Sequence, residues 1–123
     1  MTIRGAIDRA DRLRPNMHEM KDKMAWLTNV ERLVADFMNR HEDVKVELPV
    51  YTEASDMDTQ LLLQHEDAEI YVTWLMMKYD LHNGDYESYN NMAMAYNDQM
   101  KAWEAEYRRM HRPRAKRGGW NLV

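Results

Sequence analysis

Tyr86-Glu-Ser-Tyr89-Asn-Asn-Met-Ala93-Met-Ala-Tyr96-Asn-Asp-Gln-Met100-Lys-Ala-Trp103-Glu-Ala-Glu-Tyr107-Arg-Arg-Met110 is the stretch on which the fold turns. Its apolar residues fall at Tyr86, Tyr89, Ala93, Tyr96, Met100, Trp103, Tyr107 and Met110. Steps of three and four place all of them on one stripe of a single long helix. Side chains this large suit the a and d positions of a tight parallel dimer poorly, since those favour Leu, Ile and Val. The stripe is therefore expected to pack inside its own chain, against the two preceding helices. Its outer end, Trp103 to Met110, is the part left to extend into a neighbouring subunit.

Working back, Asn83-Gly84-Asp85 is strong punctuation. Glycine suits the left-handed position after a helix and aspartate caps the next, so residues 86–111 form the return arm of a helical hairpin. The outgoing arm spans about Glu66 to Asn83, and its centre, Ile70 to Met77, is apolar nearly all round. Such a helix is buried on several sides. Nearer the start, Thr2 can cap a short helix carrying Ile3, Ala6, Ile7, Ala10 and Leu13, ended by Arg14-Pro15-Asn16. Asn16 with Glu19 makes a capping-box-like start to a second helix running to about Arg40. Its apolar stripes are Met17-Met20-Met24-Leu27 and Trp26-Val30-Leu33-Phe37. Between these parts, Val44-Lys-Val46-Glu-Leu48-Pro-Val50 alternates apolar and polar, which reads as an extended edge strand ending at Pro49. Thr52 to Gln60 is acidic and reads as a solvated loop. The expected class is mainly α, with about four helices, one extended segment near 44–50 and a basic C-terminal arm.

That arm follows the aromatic helix directly. Residues 108–123 hold six Arg or Lys and no acid, whereas residues 1–107 hold eleven against twenty-one. The net charge of −4 is thus a −10 body joined to a +6 tail, a division suited to an arm that rests on something else. Arg108, Arg109, Arg112, Arg114, Lys116, Arg117 and Trp120 are the candidate partner-binding residues. They could neutralise phosphates and stack a base, or pair with an acidic protein surface, or simply solubilise the chain.

One domain is expected from 123 residues that are 45% hydrophobic, with residues 1–111 as the helical body and 112–123 as the arm. No 18-residue apolar run is present for a membrane span, and no apolar stretch follows Met1-Thr-Ile-Arg4 as a secretory signal would require. The absence of cysteine excludes disulfides and thiolate chemistry and fits a reducing compartment. Twelve methionines against one phenylalanine either replace Leu in helices or furnish an adaptable contact surface.

Catalytic, cofactor and metal sites are not expected. Gln64-His65-Glu66-Asp67-Ala68-Glu69 matches neither the paired-histidine zinc helix nor a di-iron Glu-x-x-His motif. Acids at a helix start are favoured by the macrodipole alone. Asp56-Met57-Asp58 lacks the glycine and distal glutamate of a calcium loop. His18, His41, His65, His82 and His111 are scattered, several near helix ends.

Tyr89-Asn90-Asn91-Met92-Ala93-Met94-Ala95-Tyr96-Asn97, the opening Thr2-Ile3-Arg4-x-Ala6-Ile7, Arg14-Pro15-Asn16, Glu47-Leu48-Pro49 and the closing Tyr107-x-x-x-His111-Arg112-Pro113 carry a resemblance. The chain resembles the head–tail connector (adaptor, or head-completion) proteins of tailed bacteriophages over nearly its whole length. The resemblance implies a non-enzymatic virion protein of the neck, assembled in the bacterial cytoplasm. It also implies a ring of about a dozen copies beneath the portal. Its implied partners are the portal protein, neighbouring copies, a tail-side connector or tail terminator, and DNA that passes through the channel without sequence-specific binding. The arm from Arg108 would then reach the portal or an adjacent subunit. Gly5 departs from the pattern, standing where a glutamate would complete a capping box with Thr2. The other reading of the residues is a small helical nucleic-acid-binding or regulatory protein that uses the arm on phosphate.

Overall fold

In the computed structural model, which describes residues 1–42 and 45–111, four helices follow in order. They are α1 (Ile3–Leu13), α2 (Met20–Asn39), α3 (Glu69–His82, entered through a 3-10 turn at His65–Ala68) and α4 (Tyr86–Met110). Among the described residues there is no strand, only an isolated antiparallel bridge between Thr2 and Gln60.

The apolar helix is the centre of the molecule: α3 packs against α1, α2 and α4. Ile70, Tyr71, Val72, Leu75 and Tyr79 are all buried, as a helix apolar on every side requires. α2 and α3 run antiparallel, with Trp26 beside His82 and Glu31 beside Tyr71. The turn into α4 forms as expected. Gly84 takes φ +78°, which a side chain would strain, and Asp85 caps α4 by accepting from the Ser88 N–H at 3.2 Å. The α4 stripe is buried at Tyr96, Met100, Trp103 and Tyr107, while its ends are free, Tyr86 being 65% and Met110 69% exposed.

Thr2 caps α1, its hydroxyl accepting from the Gly5 N–H at 2.9 Å. A Cβ at residue 5 would sit 3.3 Å from that hydroxyl oxygen, a tight contact, so glycine here leaves the cap room to form. The acidic loop is more than a solvated connection. The Thr59 and Met57 carbonyls accept from the N–H groups of Ile3 (3.0 Å) and Arg4 (2.9 Å), and the Met1 carbonyl accepts from Leu61 N–H (2.9 Å). Two orphan donors of the first α1 turn are thereby satisfied by a segment over fifty residues away.

Two sequence expectations need correction. The second helix starts at Met20, not near Asn16. Asn16 instead makes a local turn, its Oδ1 accepting from His18 N–H at 3.0 Å while its Nδ2 donates to Asp11 and the Arg14 carbonyl. An asparagine that can bond its own neighbouring backbone competes with the helix for it. Met17 is consequently 98% exposed, and the α2 core line begins at Met24 and runs through Leu27, Val30, Val34 and Phe37, with Leu33 outside.

The second correction concerns 44–50. Val44 lies outside the described residues, and 45–50 are neither helix nor strand. Nor is their backbone fully open to a neighbour. Asn39 holds both polar groups of Val46, Arg32 donates to the Pro49 carbonyl at 3.2 Å, and Thr28 Oγ1 accepts from Tyr51 N–H at 2.8 Å. Side chains of α2 thus occupy groups that strand addition would use.

Beneath this segment lies Glu31, fully buried. The Tyr71 hydroxyl donates to one of its oxygens. Tyr51 OH (3.0 Å) and Leu62 N–H (2.9 Å) donate to the other. Burial pushes the Glu31 carboxyl above its ordinary 4.5, although all three donors pull it down. The same burial, with the neighbouring carboxylate, raises Tyr51 and Tyr71.

Candidate functional site

α4 ends at Met110, close before the last described residue, His111. The final turns of α4 lie against the C-terminal end of α2, and the contact is aromatic. Phe37 meets Trp103 at 5.3 Å and Tyr107 at 5.9 Å between ring centroids, and His41 lies 4.6 Å from Phe37. Two guanidinium groups stand over the Phe37 ring, Arg40 at 5.3 Å and Arg108 at 5.7 Å. Such cation–π contacts contribute about 0.5–1 kcal/mol at exposed sites. They also hold both cations at a defined place on the rim.

A repeated local device builds this corner. In Phe37-x-x-x-His41 and Tyr107-x-x-x-His111 a histidine closes a helix end one turn after an aromatic residue. His41 Nδ1 is 2.9 Å from the Phe37 carbonyl and His111 Nδ1 is 3.0 Å from the Tyr107 carbonyl. The His111 ring stacks on Tyr107 at 3.9 Å. Glu42, just past α2, accepts from the Tyr107 hydroxyl and lies 3.2 Å from His111 Nε2. Burial, then the bond to Glu42 and its charge, raises the Tyr107 phenol.

The antiparallel α3–α4 pairing brings the start of α3 to the same end. Burial, followed by the nearby charges of Glu66 and Glu106, raises the Asp67 carboxyl. Arg109 pairs with Glu106 one turn back. That bond lowers Glu106 and raises Arg109.

Of the expected partner-binding residues, Arg108 and Arg109 are thus exposed at the last turn of α4, one over Phe37 and the other paired with Glu106. Arg112, Arg114, Lys116, Arg117 and Trp120 lie outside the described residues. Sequence reasoning missed Phe37, His41 and Glu42 as parts of the corner. The aromatic-x-x-x-His spacing at two helix ends was the available signal. It also missed a second gathering: His18 and His82 both pack on Trp26, at 5.3 and 4.8 Å, and His18 stacks on Tyr79. The fold therefore brings His18 and His82 together on Trp26, and sets His41 and His111 on the two sides of the Phe37–Tyr107 contact.

Among the described residues no group of three or more His, Cys, Asp or Glu is arranged to hold a metal ion, and no helix is long and apolar enough to cross a membrane. Comparison with known families, with characterised proteins and with solved structures finds no match for this chain.

Proposed function

We propose that this chain is a structural subunit of a phage neck, a head–tail connector that forms a ring beneath the portal, extends the DNA channel and docks the tail. The observation that carries the reading is the division of charge: a body of net −10 ends in a run of six cations without an acid. An acidic body suits a channel that must not hold transiting DNA, and a basic arm suits an anchor on another protein surface.

The corner at the end of α4 supports the same assignment. The stripe is packed through Tyr107 and capped by His111, so the arm starts from a fixed point of the body. Met17, Met94 and Met110 stand exposed at separate places, and methionine adapts its shape to a partner. A ring needs two different mating faces on each subunit.

The experiment is truncation after His111. The truncated protein should keep the helical content and melting temperature of the intact chain, because the buried α4 stripe ends at Tyr107. It should fail to join portal in negative-stain images and co-sedimentation. A truncated protein that assembles normally, while the intact one binds duplex DNA with steep salt dependence, would favour the nucleic-acid reading instead.

A further inference from the structure

Asn83 is the one asparagine of the chain that a glycine follows. In such a pair the glycine nitrogen can attack the side-chain carbonyl carbon of the asparagine, because no Cβ stands in the way. A Cβ at Gly84 would meet nothing within 4 Å, and both Asn83 and Gly84 are exposed at the end of α3. The reacting groups are therefore open to solvent, yet the fold holds them apart. Gly84 N–H donates to the Leu81 carbonyl at 3.2 Å, and Asp85 N–H donates to the Asp80 carbonyl at 2.9 Å. Asn83 keeps a helical backbone, with φ −88° and ψ −5°. Closing a planar five-membered ring needs the Asn83 Cβ to eclipse the Gly84 nitrogen. At a ψ near zero that nitrogen eclipses the Asn83 nitrogen instead.

We propose that Asn83-Gly84 is a self-modification site: the chain converts Asn83 to aspartate and isoaspartate without an enzyme, and the end of α3 holds the reaction back until the turn opens. The Gly84 nitrogen gives up its proton and forms a bond to Asn83 Cγ. The bond from Cγ to the side-chain nitrogen breaks, and ammonia leaves with that proton, which closes a succinimide. Water then opens the ring. Attack at Cγ restores the main chain and leaves aspartate. Attack at the former main-chain carbonyl leaves isoaspartate, whose backbone runs through the side chain. Nothing is oxidised or reduced. Either product puts a carboxylate at the C-terminal end of α3, where the helix dipole disfavours an anion. Isoaspartate also lengthens the turn by a methylene. The bonds it displaces are those of the Gly84 and Asp85 amides, then the Asp85 cap on Ser88 and the Ser88 bond to Asp80. Modification thus loosens the joint between α3, the centre of the core, and α4. The inference is independent of the connector reading.

The test incubates the full chain in mildly alkaline buffer, either folded or unfolded in guanidinium chloride. Peptide mapping then separates asparagine, aspartate and isoaspartate at residue 83. The unfolded chain should convert at Asn83 ahead of every other asparagine. The folded chain should convert there at least about two- to ten-fold more slowly, the scale of the one hydrogen bond that occupies Gly84 N–H. Asp85→Ala, which removes the α4 cap, should speed conversion in the folded chain and leave the unfolded rate nearly unchanged. Converted protein, separated from the intact chain by its charge, should melt at a lower temperature. Equal rates in the folded and unfolded chain would overturn the proposal. So would an Asn83 that stays intact in the unfolded chain, an Asp85→Ala variant with the folded rate unmoved, or converted protein that melts with the intact chain.

Discussion

Asn39 serves both backbone groups of Val46, its Nδ2 donating to the carbonyl at 2.8 Å and its Oδ1 accepting from the N–H at 2.6 Å. A side-chain amide thus stands in for the neighbouring strand that the alternating sequence around Val46 anticipates. The segment is held to α2 rather than offered to another chain. Asn39→Ala should leave two part-buried groups without their partner and cost about 1–2 kcal/mol. The Val46 amide should exchange faster in that variant. Unchanged exchange at Val46 would mean that the amide bridge does not hold the segment.

Two carboxyls shift in opposite directions, and their effects on stability oppose each other in acid. Burial alone would raise Asp11, but bonds from Lys23, Asn16 and Tyr79 outweigh it and hold the carboxyl below its ordinary 3.8. A depressed folded-state value gives stability that is present above 3.8 and is lost as pH falls through the folded value. Glu31 is raised above 4.5, so its contribution is complete below 4.5 and is lost as pH rises through the folded value. Asp11→Asn should flatten the loss of melting temperature below pH 4. Glu31→Gln should flatten the loss on the rising side above pH 4.5. Melting curves from pH 2 to 7 that keep both slopes in the variants would contradict these assignments.

Glu31→Ala should be far more damaging than Glu31→Gln. It strands the hydroxyls of Tyr51 and Tyr71 and the N–H of Leu62 in or beside the core. At about 1–3 kcal/mol for each unmet buried group, a loss of about 3 kcal/mol or more is expected in denaturant melts. A loss below about 1 kcal/mol would mean that water replaces the carboxylate.

Asp80 is nearly fully buried and is bound by Arg14 and by Ser88 Oγ at 2.7 Å, joining the end of α1 to α3 and the start of α4. Arg14→Ala removes the only cation paired with it among the described residues. The unpaired buried carboxylate should cost about 3–5 kcal/mol, and Asp80→Asn in the same background should recover part of that. Failure of the second substitution to restore any stability would assign the loss to packing of the arginine stem.

Trp103→Ala should cost about 3–5 kcal/mol, because the ring is buried against Phe37 and Tyr107. Met110→Ala, seven residues on along the same stripe but exposed, should cost less than about 0.5 kcal/mol. Equal losses at the two positions would show that the stripe is packed to its end.

Period and punctuation determined most of the fold. The α4 stripe, the all-round apolar α3, the Asn83-Gly84-Asp85 turn and the Thr2 cap all depend on residues close in sequence. Local backbone preference and burial act in the same direction there, so the pattern was sufficient. Tertiary structure decided what periodicity does not encode. It pinned the acidic loop under α1, since the donors at a helix start are the same for every sequence and do not specify who will satisfy them. It turned the alternating segment at Val46 from a strand into a strap, because the amide that pairs with it comes from α2. It started α2 at Met20 because Asn16 found backbone partners nearer than the helix. At the end of α4 the histidine, the tyrosine and the aromatic stripe could be read in the chain. Their meeting with Phe37 and Glu42, some 65 residues earlier for Tyr107, arises only when α2 and α4 are laid together.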